Sequence, residues 1–282
     1  MSPNNKDIRS EKPRQIGSLL FLFCSIVFII QLNAATPESF SIDSIQSGHP
    51  RILASDTDFE AIRNATGDPL QSQYMAFLRQ TAEAMLPLSP IKHELAGKRL
   101  LSESRKFLKR VSTWALLYKI DGNDIYRERA IQEMEAVAAF PDWNPQHYLD
   151  VGEMALGMSI GLDWFWTDLS RKQQNHFLDS LEEKGINPSL DESHPSNWWL
   201  DYNNNWNPVC HAGLVSAALL LADRNPELSN WVITRAIKAV PNAMDETNPD
   251  GVYPEGPVYW TYGTHFTAVL IDLLESACGD SF

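Results

Sequence analysis

"RKFLKRVSTWALLYKIDGN", residues 105–123, decides the fold class. Phe107, Val111, Trp114 and Tyr118 recur at i, i+4, i+7 and i+11, the spacing of one face of a helix, which is expected from about Ser102 to Ile120. "DGN" at 121–123 stops it. Outward from there the pattern repeats. Further helices are expected at Asp124–Phe140, ended by "PDWNP", and at Leu149–Trp166 and Arg171–Glu183, with Asp168 or Ser170 capping the second of that pair. Pro208–Ala222, Ser229–Met244 and Trp260–Cys278 follow. No run of alternating residues bounded by turn signals suggests a sheet. Helices joined by short loops lie antiparallel, so the chain reads as all-α, a series of αα-hairpins. It carries no internal repeat, which disfavours a regular solenoid and leaves a bundle or a ring. A ring is favoured by aromatic and amide-rich connections: "FPDWNPQHYLD" (140–150), "HPSNWWLDYNNNWNP" (194–208) and "DGVYPEGPVYWTYG" (250–263). Brought to one end, these loops would line a cleft with flat rings and amides, which suits a sugar's apolar face and hydroxyl rim.

The chain has 282 residues, 44% of them hydrophobic, enough for a sizeable core. Residues 1–35 stand apart. Lys6, Arg9, Lys12 and Arg14 precede the apolar run "SLLFLFCSIVFIIQL" (18–32), which ends in the small residues of "NAAT", the three parts of a secretory signal peptide. The run is shorter than the roughly 20 residues that a spanning helix needs. An exported protein is therefore expected, periplasmic or secreted, with no membrane attachment after cleavage. Cys210 and Cys278 remain, too few for a disulfide scaffold, and buried reduced thiols are expected. Removing four positive and two negative charges with the signal takes the formal charge from −13 to −15, which argues against a nucleic-acid partner. A polyanionic substrate would have to be met by a local site.

Four stretches in order, "HPRIL" (49–53), "DWNPQHYLDVGEMALGMSIGLDWFW" (142–166), "NNNWNPVCHAG" (203–213) and "DGVYPEGPVYWTYG", resemble the helical domain of the heparinase II/III-like polysaccharide lyases, which include some alginate lyases. The resemblance covers about residues 49–278. It implies an incomplete (α/α) toroid over residues 36–282 and β-elimination on an anionic uronate polysaccharide. Relatives continue into a β-sheet domain that supplies a further histidine. This chain stops at "ESACGDSF", so the resemblance implies that the usual C-terminal β-sheet domain is absent, to be supplied in trans or lost, with impaired turnover.

That chemistry accounts for the asparagines. The C5 proton of a uronate is very weakly acidic while the adjacent carboxylate keeps its charge, and neutral amides that hydrogen-bond the carboxylate stabilise the enolate-like transition state. A tyrosine, whose ordinary pKa is about 10, can take the proton, protonate the leaving oxygen, or both. By the family pattern the proton-transfer residue is Tyr259, and the carboxylate is met by Asn205, with Asn204 close behind and His211 in second rank. Trp206, Tyr262, Trp143, His147 and Trp199 are expected to contact sugar.

Plainer readings stand beside these. Asn207 before Pro208 reads as an N-cap followed by proline at N1. His211 is equally a buried hydrogen-bonded histidine, Asn204 and Asn205 are equally turn residues, and Glu255 reads as a brace for its loop. No HExxH, phosphate-binding glycine loop or metal-spaced His/Cys cluster is present, so neither a cofactor nor a metal is expected. Two rivals remain: a non-catalytic glycan-binding protein, and a glycoside hydrolase. The hydrolase needs two cleft carboxylates about 5–10 Å apart, drawn from Asp150, Glu153, Asp201 and Glu255.

Overall fold

The computed structural model describes residues 40–65 and 67–279. Among these residues there are nine α-helices and no strand, only an isolated bridge between Ala96 and Arg99. The helices are α1 (Asp56–Asn64), α2 (Pro69–Met85), α3 (Leu101–Asp121), α4 (Asp124–Ala138), α5 (Leu149–Trp164), α6 (Arg171–Ser180), α7 (Trp206–Leu221), α8 (Pro226–Asp245) and α9 (Pro257–Cys278). The expected signal peptide at 1–35 lies outside the described residues. No helix among the described residues is long and apolar enough to cross a membrane.

The hydrophobic pattern sets the order of packing. Every residue of α5, and every residue of α7 from Asn207 onward, is buried. A helix apolar on all sides belongs inside, and these two form the centre. α5 packs most extensively on α3 and α7, α7 also holds α8 and α9, and α4 lies on α3. Phe107, Val111 and Trp114 of the α3 stripe are completely buried, whereas Tyr118 is only partly covered.

The contact between the two central helices is backbone to backbone. A Cβ added at Gly213 would stand 2.1 Å from the carbonyl oxygen of Gly152, and one at Gly152 would stand 2.9 Å from that of Val209. Further along α5, Gly157 faces the Phe107 ring and Gly161 faces Met134 and Val111. The glycines bring the α5 axis close to both neighbours, at a cost in helix propensity of about 1 kcal/mol each.

Local signals explain most helix ends. Gly122 takes the left-handed conformation that closes α3, and Asn123 caps α4. Ser170 rather than Asp168 caps α6, in a reciprocal capping box with Gln173. α6 is α-helical to Ser180 and widens into a π-helical turn, Leu181–Ile186, so the helical run passes the expected end at Glu183. The reading of Asn207 as an N-cap is corrected: Asn204 Oδ1 accepts from the Trp206 amide at 3.0 Å and starts α7 two residues earlier. Asn207 then lies inside the helix. Pro208 is tolerated there because the first helical N–H groups have no intrahelical partner to lose. Cys210 and Cys278 are buried thiols, as expected.

Buried carboxylates fasten the connections. Glu133 of α4 accepts from the Ile91 amide at 2.8 Å and from Arg110 at 2.7 Å. Asp163, at the end of α5, accepts from the Arg51 and Ile52 amides at 2.8 and 2.9 Å and from His49 Nδ1 at 2.5 Å. The His49 ring stacks on Trp166 at 3.8 Å and accepts from Arg51 through Nε2, while Arg51 also pairs with Asp223. Both buried carboxylates, Glu133 and Asp163, are thus met by donors. The segment around "HPRIL" is laid across the end of α5 and continues to α9, where Leu53 N donates to Ser276 Oγ at 2.8 Å.

Gly213→Ala should destabilise the protein by about 3 kcal/mol or more, because its methyl group meets backbone that cannot rotate away. Gly157→Ala, which meets mainly a ring, should cost less. Urea unfolding of both variants checks this, and a Gly213→Ala loss below that of Gly157→Ala would contradict the packing account.

Candidate functional site

The amide-rich turn before α7 and the tyrosine-rich start of α9 come together, as Asn205 and Tyr259 share a cleft. Gly263 makes this possible: a Cβ there would sit 3.4 Å from Asn205 Cα, so α9 lies directly against the turn. Tyr259 lines two clefts at once. The first, of about 320 Å³, is lined by Arg99, Arg105, His147, Trp206, Tyr259 and Tyr262 among others. The second, of about 420 Å³, lies between the start of α7, the end of α8 and α9, and is lined by Asn205, Met244, Asp245, Tyr253, Tyr259 and Trp260 among others.

Asn205 is buried, and its Nδ2 donates to Glu255 Oε2 at 2.7 Å. Tyr253 donates to the same oxygen at 3.1 Å. Asn205 Oδ1 is buried without a hydrogen-bond partner. The amide therefore holds a carboxylate of its own chain, and Glu255 braces the loop as the sequence suggests. Asn204 is occupied in starting α7.

The three tyrosines of the loop are not equivalent. Burial, followed by the neighbouring Glu255, pushes the Tyr253 phenol well up from its ordinary value. Burial and Glu153 do the same to Tyr262, whose hydroxyl makes a short hydrogen bond to Glu153 Oε1. Both stay protonated. Tyr259 is 49% exposed, and its hydroxyl has no hydrogen-bond partner among the described residues. It is the phenol left available to a ligand.

Glu153, which Arg105 and Tyr262 of the first cleft both contact, is buried, and burial raises its carboxyl against the opposing pull of Tyr262 and Arg105. Arg105 Nε donates to Glu153 Oε1 at 3.0 Å, and the guanidinium lies 5.0 Å from the centre of the Tyr262 ring. His147 Nδ1 donates to Asp150 Oδ1 at 2.6 Å. Asp150 also takes the Leu100 amide and the Asn144 side chain, both at 2.6 Å, so it ties the start of α5 to the Leu100 segment and to the Asn144–His147 turn. His147 meets Trp206 edge-on at 4.6 Å, and Trp198 and Tyr202 extend this aromatic ledge, with Trp198 4.8 Å from Trp206.

Three residues expected at the site lie elsewhere. Trp143 and Trp199 are completely buried, so neither offers a ring face to a sugar. Trp143 donates to Val137 O and packs beside Gly185, while Trp199 packs on Tyr148. The exposed ring of the "NWW" turn is Trp198, at 45%. His211 is completely buried and lines neither cleft; its Nε2 donates to Leu200 O at 3.0 Å, beside Asn207, which donates to the same carbonyl at 2.9 Å. The two side chains tie α7 to the preceding turn, and burial pushes the His211 imidazole down to about 3.

Trp198, Tyr202, Arg99 and Arg105 were not among the sequence candidates for sugar contact, and Glu153 was considered only as a hydrolase carboxylate. Only the doubled tryptophan signalled any of them, and helical periodicity does not tell which ring of such a turn faces out. The chain matches no protein-family model, and no curated protein matches it.

Because His211 binds its proton less well folded than unfolded, its neutral form contributes stability above about pH 6.5, and this is lost as the pH falls towards about 3. His211→Gln keeps an N–H donor and removes the titration. Its urea midpoint should fall less steeply than the wild type's across that window, and parallel curves would contradict the assignment.

Proposed function

We propose that this protein is an exported lyase that cleaves uronic-acid polysaccharides by β-elimination, its helices arranged as an incomplete (α/α) toroid. The observation that carries the reading is the pairing at the turn before α7. The Asn205 amide already donates to a carboxylate, and it shares a cleft with Tyr259, whose hydroxyl is available. Export rests on the basic and apolar parts of residues 1–35 and their small-residue end.

In this reading a uronate carboxylate takes the place that Glu255 holds at Asn205. The hydrogen bond strengthens as negative charge moves from C5 onto that carboxylate, so it favours the transition state over the bound substrate. Tyr259, as phenolate, removes the C5 proton. The electron pair left at C5 forms the C4–C5 double bond as the C4–O bond breaks, and the departing oxygen takes a proton from the same tyrosine. The residue ends as it began. Trp206, with Trp198 and Tyr202 beside it, supplies rings for the apolar faces of neighbouring sugars.

A glycoside hydrolase is less well supported. No carboxylate lines the first cleft and only Asp245 lines the second, whereas hydrolysis requires a pair flanking the bond. A binding protein without turnover would use the same aromatic ledge, and only the chemistry of Tyr259 separates the two.

Ultraviolet absorbance of unsaturated products, measured over a panel of uronate polymers, tests the reading. Tyr259→Phe should reduce elimination by about 100-fold or more while leaving polymer binding nearly unchanged. Asn205→Asp should reduce turnover further than Asn205→Ala, since the new charge opposes both the substrate and Glu255. If no uronate polymer yields an unsaturated product, the protein is not a lyase.

A further inference from the structure

The first cleft carries positive charge that the elimination chemistry above does not use. Arg99 and Arg105 both line it in a chain of formal charge −13, and Arg99 forms no ion pair among the described residues. Arg105 is held from behind: its Nε donates to Glu153, and its guanidinium stands over the ring of Tyr262, whose hydroxyl binds the same carboxylate oxygen. Glu153 is almost completely buried, while the Arg105 side chain is 52% exposed. A buried carboxylate and a fixed ring thus orient one edge of the guanidinium and leave most of its N–H donors uncommitted. For a surface arginine this is a costly arrangement in side-chain entropy, and it is the geometry of a preorganised receptor for a planar anion.

We propose that Arg105 is an acid-recognition subsite: it receives the carboxylate of a sugar next to the one held at Asn205, with Arg99 adding charge and Glu153 acting as the positioning residue. The inference rests on the uronate-polysaccharide reading. Tyr259 lines both clefts, Asn205 only the second and Arg105 only the first, so a polymer passing Tyr259 would place successive acidic sugars on the Asn205 side and on the Arg105 side. The subsite selects polymers with acid groups on adjacent residues over those in which acidic and neutral sugars alternate.

Binding is measured by calorimetry on the Tyr259→Phe protein, so that turnover does not interfere. The probes are hexasaccharides of alginate, in which every residue is acidic, and of hyaluronan, in which acidic residues alternate with neutral ones. An alginate hexasaccharide with its carboxylates reduced to hydroxymethyl groups is the control. Arg105→Gln should weaken alginate binding by about 10- to 100-fold, with a much smaller change for hyaluronan and none for the reduced sugar. Arg105→Lys should restore only part of the loss, since an ammonium lacks the planar fork. Glu153→Gln, which keeps the positive charge but loosens its anchor, should weaken alginate binding less than Arg105→Gln does. Thermal unfolding of each variant checks that it is folded. Equal affinities in the parent and Arg105→Gln proteins, equal losses for both sugars, or no binding of either acidic probe would overturn the subsite. Elimination by the wild-type protein together with Arg105-independent binding would discard the subsite and keep the lyase reading. Arg105-dependent binding without elimination would do the reverse.

Discussion

The close approach of α5 and α7 governs the rest of the structure. With Gly213 pressed on the carbonyl of Gly152, the two helix axes are set by backbone atoms and not by deformable side chains. Rows of side chains interdigitate with some freedom, but bare backbone has none. That contact falls in the first turn of α5, beside Asp150 and Glu153, and midway along α7, about two turns from Asn205 and Trp206. The relative position of these four residues therefore follows from a packing constraint in the core. α9 is brought in by the same device, with Gly263 against Asn205.

Buried acids do the fastening that a sheet would do in other folds. Asp150, at the start of α5, collects the Leu100 amide, Asn144 and His147; Asp163, at the other end, collects two amides and His49. The helix dipole favours the first position and opposes the second. The donors around Asp163 outweigh that opposition, since it has two amide hydrogen bonds besides the imidazole. Glu153 differs from both in that its partners, Arg105 and Tyr262, are side chains facing a cleft. Asp150 and Asp163 fasten backbone, whereas Glu153 orients side chains.

Much of the helical architecture was legible in the sequence because it depends on local signals. The stripe from Phe107 to Tyr118, the "DGN" stop and the Ser170 cap all act within a few residues of where they stand. The start of α7 was misread because two asparagines compete for the cap, and the side chain of Asn204 reaches the Trp206 amide first. The candidate site was legible only in part. Asn205 and Tyr259 stand out through the motifs that contain them, but Arg105 sits in unremarkable helical sequence, and nothing local pairs it with Glu153. They meet across the α3–α5 packing, and Tyr262 reaches them from more than 100 positions away. Trp198 and Trp199 show the limit most plainly: identical neighbours, one exposed and one completely buried, divided by a turn whose direction only the tertiary structure sets.

The segment around "HPRIL" also bears on how the chain is made. Gln46 N donates to Ala277 O and Leu53 N to Ser276 Oγ, so some of the first described residues are bonded to the last helix. Emerging from a ribosome at roughly 5–20 residues per second, this segment waits on the order of ten seconds or more for its partner to be synthesised. During that interval α5 can be dressed by α3, α4 and α7 and Asp163 can collect His49, Arg51 and Ile52, while the bonds from Gln46 and Leu53 wait. Closure of this segment onto α9 is long-range, because its contacts join residues more than 200 positions apart.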